Sequence, residues 1–289
     1  MSSIKNILKT GTPNDCSNTK RLIRDAVIEF VATTLFIYCG TLSALSTGTM
    51  LLLEQHKMAD VARILPIAIC FGISILFLVH SIGHLSGGHM NPAVTLLMFF
   101  KQQISVTKMV IYWLSQFSGA LFASALVWGS TSSLAGIQVN EDNHISHPPF
   151  FLGNNTVNPN ISSWNAFLLE LVGSFIFFFV IAQTALDKRG LANTHFPALP
   201  IGLSLVVVHI GLIPFTGCGV NPARTFGPSV MSCLAGSCGE AIQGTTYWIY
   251  YIAPGVAAFL VAETTNMLSV GIFDIDLALH TDEKKVLNV

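Results

Sequence analysis

Charge is what this sequence has least of. Only 10% of its 289 residues are Asp, Glu, Lys or Arg, against about 25% in an ordinary soluble domain. Hydrophobic residues make up 52% and mean hydropathy is +0.62. Such a chain cannot cover itself with polar surface, so composition places it in a lipid bilayer. A net charge of −1 leaves no basic face for nucleic acid. Cysteine is sparse and scattered (Cys16, Cys39, Cys70, Cys218, Cys233 and Cys238), with no CxxC and no zinc spacing, so no metal and no cofactor are expected. Cys233 and Cys238 share one short polar segment, where a disulfide and two free thiols are both open. No nucleophile–base pair and no glycine-rich phosphate loop occurs, so the chain is not read as an enzyme. The N-terminus lacks the apolar run and small-residue cleavage site of a secretory signal. Residues 1–23 read instead as a cytoplasmic tail too polar to fold alone.

What is abundant is apolar sequence in long runs. A helix needs about 20 apolar residues to cross the hydrocarbon core, and six stretches qualify: 26–45, 65–82, 105–128, 164–186, 198–214 and 247–267. The fifth is short and interrupted by Pro. With the N-terminus inside, eleven Lys and Arg fall on inner segments and only Lys57 and Arg63 on outer loops, a positive-inside bias that puts both termini in the cytoplasm. The segment 129–163, between the third and fourth spans, holds no Lys or Arg and carries two sequons, at Asn154 and Asn160. Both fall outside in this topology and are candidate glycosylation sites. The plasma membrane is the expected location, rather than an internal one.

Two shorter apolar stretches, 91–100 and 221–231, cannot span, and each opens with Asn-Pro-Ala: Asn91, Pro92, Ala93 and Asn221, Pro222, Ala223. They belong to a repeat. Gly72-Ile73-Ser74 precedes Asn91 by 19 positions, and Gly202-Leu203-Ser204 precedes Asn221 by 19. Each half holds three spans and one half-span. Three is odd, so the halves enter the membrane from opposite sides, an arrangement that places a site at the bilayer midplane.

Asn is a strong N-cap and Pro suits the first helical position, so Asn-Pro marks a helix start. At membrane depth, irregular backbone is tolerated only where it is buried or lines a cavity. Each Asn oxygen would cap its helix, leaving the amide N–H groups for a small polar guest. Two helix N-termini would add about half a positive charge each and repel cations. The approach segments Gly87, Gly88, His89 and Gly217, Cys218, Gly219, Val220 would present backbone carbonyls along a narrow path. Acceptors, then donors, then acceptors suit a file of water molecules.

With "SGGHMNPAVT" and "GCGVNPAR" in view, the chain resembles the aquaporins, of the major intrinsic protein family, over about residues 24–267. The resemblance implies an all-α membrane fold of six transmembrane helices and two re-entrant half-helices, one pore per subunit, assembled as a homotetramer. The channel domain would run from 24 to 267, as repeats 24–128 and 164–267, with a cytoplasmic tail at 268–289. The resemblance also implies a constriction made by Phe71, His209, Cys218 and Arg224, the set of water-selective members; glycerol-conducting members carry a small residue in place of His209. Thr225 departs from the usual Ser of water channels, and Tyr250 and Tyr251 match their aromatic pair. Cys218 would be a pore-lining thiol open to mercurials. Glu29 and Glu170, at matching places in spans one and four, would brace the re-entrant loops.

The expected function is passive, osmotically driven water flow that excludes protons and ions. A broader pore passing hydrogen peroxide, ammonia or glycerol is an alternative, as are a membrane junction or scaffold with weak conduction and an ion-coupled transporter. His84 could narrow the inner mouth. His80 reads as packed, and His195 as a solvated loop residue rather than a pH gate.

Overall fold

The computed structural model describes residues 18–53, 59–131, 138–139, 145–146, 152–187, 195–235 and 244–269. Helix α1 (Thr19–Leu53) is followed by α2 (Ala59–Ser86), the short α3 (Pro92–Phe100) and α4 (Val106–Thr131). A two-residue strand pair, β1 (Gln138–Val139) and β2 (Ile145–Ser146), lies between the halves. The second half repeats the order with α5 (Ser163–Ile181), α6 (Ala198–Thr216), the short α7 (Pro222–Leu234) and α8 (Ile249–Ser269). Five of the six long helices are long and apolar enough to cross a membrane by composition. The sixth, α8, has 21 residues, about 32 Å at 1.5 Å per residue, and completes six spans and two half-spans. The fifth predicted span runs through its proline and ends at Thr216.

The molecule is apolar outward and holds fully buried polar groups within an otherwise apolar interior. Val27, Leu65, Leu114, Val172 and Val207 are more than half exposed, whereas Glu29, Gln116, Glu170 and Thr216 are fully buried. Only a lipid surround makes both faces favourable, because exposed apolar surface costs nothing there and an unpaired polar group costs several kcal/mol.

Packing follows the repeat and then crosses it. Within the first half α1 packs on α2 and α4; within the second, α5 packs on α6 and α8. The half-helices exchange partners: α3 lies on α8 of the other half, and α7 on α4. Lys101 at the end of α3 donates to Thr265 Oγ1 and Asn266 Oδ1 (3.1 and 2.6 Å) on α8. The halves are therefore interlocked.

Between α2 and α6 the helices touch backbone to backbone at the glycines that mark the repeat. A Cβ on Gly202 would stand 2.6 Å from the Gly72 carbonyl oxygen, and one on Gly72 would stand 2.6 Å from that of Gly202. Small residues at crossings are how membrane helices approach closely. Replacing Gly202 with Leu is expected to force these helices apart and abolish the folded protein. Size-exclusion chromatography in detergent checks this: the monodisperse peak should collapse, and an unchanged peak would show that the crossing can yield.

Cysteine usage is partly settled. Cys39, Cys70 and Cys218 are free thiols, and Cys233 is disulfide-bonded, its partner lying outside the described residues, as do Cys16 and Cys238.

Candidate functional site: the meeting point of the half-helices

Each half-helix starts as its sequence dictates. Asn91 has extended backbone (φ −153°, ψ 120°) and its Oδ1 accepts from Ala93 N at 2.8 Å. Asn221 does the same (φ −135°, ψ 110°), accepting from Ala223 N and Arg224 N at 2.9 and 3.3 Å. Pro92 and Pro222 occupy the first helical position.

The two N-termini meet through a reciprocal exchange. Asn91 Nδ2 donates to Val220 O (3.1 Å), and Asn221 Nδ2 donates to Met90 O (2.9 Å). This corrects the sequence reading that both amide hydrogens are spare. A primary amide has two N–H donors, and one of each pair is committed to the opposite half. One N–H per Asn remains for the passage.

The approach segments carry an unusual backbone twice. Positive φ occurs at Gly87, Gly88 and Met90 (101°, 64° and 49°) and, 130 positions on, at Gly217, Cys218 and Val220 (72°, 58° and 54°). A β-branched residue such as Val220 rarely adopts that region, and each such residue costs about 1–3 kcal/mol. The buried carboxylates hold it. Glu29 Oε1 accepts from Ser86 Oγ (2.8 Å) and His89 N (2.9 Å), and Oε2 from Met90 N (2.8 Å) and Gln116 Nε2 (2.9 Å). Glu170 Oε1 accepts from Thr216 Oγ1 and Gly219 N (2.8 Å), and Oε2 from Val220 N (2.8 Å). Each carboxylate thus accepts from two backbone N–H groups of the re-entrant segment in its own half. Tyr112 and Tyr250 close the frame, donating to Ser86 O (2.6 Å) and Thr216 O (2.7 Å).

A narrow cavity of about 20 Å³ runs past this junction, lined by Asn91, Asn221, Phe71, His209, Arg224, His89, Gly219 and Val220 with apolar neighbours. Phe71 stacks on His209 (centroids 4.5 Å apart, planes at 22°), and the Arg224 guanidinium carbon sits 4.9 Å from the Phe71 centroid. His209 Nδ1 lies 3.0 Å from Leu205 O. A carbonyl only accepts, so Nδ1 carries the hydrogen and Nε2 is the acceptor of the neutral ring. Among the described residues, His209 Nε2 and Arg224 Nε are buried without a hydrogen-bond partner. An acceptor and a donor thus stand unpaired in one constriction. The fourth residue of the predicted set, Cys218, is fully buried beside them and does not line this cavity.

The carbonyl positions divide. His89, Gly219 and Val220 border the narrow cavity, and Gly87 borders a wider vestibule; Gly88 lines neither. Gly217 O accepts from Asn155 Nδ2 (2.8 Å). Met90, symmetry mate of Val220, was not picked out from sequence; its carbonyl accepts the second cross-bond.

Sequence reading also missed the connection 152–162. Gly153 O accepts from Arg224 Nη1 (2.6 Å), and Asn155 Oδ1 accepts from Thr225 Oγ1 (2.9 Å). The Arg224 head is therefore set by a loop, and Thr225 has a defined job. The Asn154 amide donates to Ser232 Oγ (3.2 Å), while Asn160 is exposed. His89 turns its Nδ1 to Thr95 Oγ1 (3.1 Å) and packs edge-on against Tyr112. Tyr251 donates to Tyr247 (2.6 Å).

Glu170→Gln places an NH2 group where one of two backbone N–H donors now points, Gly219 N at Oε1 or Val220 N at Oε2. Unpaired buried donors cost about 1–3 kcal/mol each, so the variant is expected to melt well below the parent in detergent, with Glu29→Gln behaving alike. Unchanged melting of either would show that the carboxylates do not hold the re-entrant backbone.

Comparison with known proteins agrees with this geometry. The family described as "Major intrinsic protein" matches residues 16–263. Aquaporin-1 of Mus musculus is 34% identical over 268 residues, covering 91% of this chain and 87% of its own. Aquaporin-1 of Homo sapiens is 33% identical over 238 residues, covering 82% and 78%. The solved aquaglyceroporin from Plasmodium falciparum superposes with a TM-score of 0.71 at 20% identity, over 88% of this chain and 99% of that one. With two capped half-helices crossed at their N-termini inside six spans, the chain belongs to the major intrinsic protein family and is an integral, multi-pass membrane channel, not an enzyme.

Proposed function

We propose that the protein is a water-selective channel, driven by osmotic difference, that excludes protons and ions. The observation that carries this reading is the pairing of one unpaired acceptor, His209 Nε2, with one unpaired donor, Arg224 Nε, around a cavity closed by Phe71. A water molecule satisfies both at once by donating to the imidazole and accepting from the guanidinium. A polyol is bulkier than water and needs an apolar wall where His209 stands beside the narrow cavity.

In the passage, Phe71, His209 and Arg224 form the filter. At the midpoint, the remaining N–H of Asn91 and of Asn221 donates to a passing water. That water must point its hydrogens away on both sides, so no continuous chain of donors relays a proton. The two helix N-termini and the Arg224 charge oppose cations. An Arg at membrane depth is costly unless it meets a partner or water, which accords with Gly153 and the passage. Oriented by its Lys and Arg, the chain has both termini and the vestibule in the cytoplasm, and 152–162 outside. Assembly as a homotetramer in the plasma membrane completes the reading. Of the two sequons, exposed Asn160 is the better candidate for a glycan.

The test is stopped-flow light scattering of proteoliposomes. The parent is expected to pass water far faster than glycerol, and His209→Gly to raise glycerol permeability at least tenfold relative to water. Equal rates for glycerol and water in the parent would establish a broader pore. Separately, Arg224→Val is expected to admit cations, seen as an ion conductance in planar bilayers; a variant as silent as the parent would remove the guanidinium from ion exclusion.

A further inference from the structure

Three imidazoles that the water path does not use face one space. On the far side of the Asn pair from Arg224 the passage widens into a vestibule of about 470 Å³, lined among others by His80, His84, Lys108, His195 and Phe196. His89 borders both this vestibule and the narrow cavity, so one residue separates the two.

His80 and His84 stand four residues apart on α2. At that spacing the side chains lie over one another on one helix face, with Cβ atoms about 5–6 Å apart. Both are exposed to the vestibule, as is His195 just before α6. None of the three rings makes a hydrogen bond or ion pair among the described residues. The His80 ring instead meets Phe196 edge-on (4.9 Å, 84°), which brings the neighbour of His195 against it. The other cation of the space, Lys108, is already held by Asp25 at 3.1 Å.

Two imidazoles at i and i+4 on a helix form a chelating pair, the spacing used by helical zinc sites. Neutral imidazole prefers copper, nickel and zinc, and copper binds most strongly in that series. We propose that His80 and His84 form a binding site for a divalent, imidazole-preferring transition metal at the channel's mouth, with His195 as third ligand, and that the bound ion obstructs the passage. No three His, Cys, Asp or Glu side chains already stand at coordinating distance among the described residues. The helical pair is therefore the anchor, and water and His195 fill the remaining positions. The obstruction rests on the water-channel reading; the binding does not.

The test uses the full chain and Cu²⁺. In detergent, the parent should bind Cu²⁺ with electron paramagnetic resonance hyperfine structure from at least two imidazole nitrogens. His80→Gln and His84→Gln should each weaken that component at least tenfold, and His195→Gln by a smaller factor. In proteoliposomes with Cu²⁺ on both sides, the parent's osmotic rate should fall at least twofold from its own metal-free value, and that of the His80→Gln/His84→Gln variant should not. Wild-type Cu²⁺ affinity in both single variants, or a one-nitrogen signal, overturns the site. Two-nitrogen binding without slowing overturns the obstruction. A channel reading that fails shows itself independently, as a low metal-free water rate.

Discussion

Non-helical backbone at the depth of a bilayer has no water to bond, and every polar group of residues 86–91 and 216–221 needs a partner from the protein. That constraint organises the molecule. It explains two fully buried glutamates in an apolar bundle, each taking up the N–H groups that a helix would have satisfied. It explains the reciprocal bonds by which Asn91 and Asn221 reach the carbonyls of Val220 and Met90. It also explains why the half-helices pack on the opposite repeat: a helix begun at the midplane can be held only from both sides.

The proposed selectivity would follow from the same constraint. Once the braces and cross-bonds are made, the unpaired polar atoms that border the narrow cavity would define what can pass. One N–H on each Asn remains at the junction, with His209 Nε2 and Arg224 Nε at the constriction. A guest that donates and accepts within a few ångströms, and is no wider than the gap beside Phe71, meets these demands. The fold alone does not decide this, since the Plasmodium falciparum aquaglyceroporin shares it at 20% identity.

Much of this was legible in the sequence, for local reasons. Asn-Pro is a helix start that does not depend on context, and the 19-residue spacing from Gly72 and Gly202 exposes the repeat without any structure. Glu29 and Glu170 stood out because they hold matching places in the two halves. The illegible parts are those set by distant partners. Nothing in "LGNNTV" announces that Gly153 will hold Arg224, or that Asn155 will tie Gly217 to Thr225. The second N–H of each Asn looked free because its acceptor lies about 130 residues away in the other half. Cys218 matched the filter by position, yet it is fully buried and is not among the residues that line the narrow cavity.

The central claim is that two cross-bonded asparagines each keep one N–H for a single-file column. A high-resolution density map of the protein in lipid tests it most directly. The account predicts one ordered water within about 3 Å of both Asn91 Nδ2 and Asn221 Nδ2, flanked by waters on either side. Density showing the two amides apart, or both N–H groups of each taken up by protein, would contradict it.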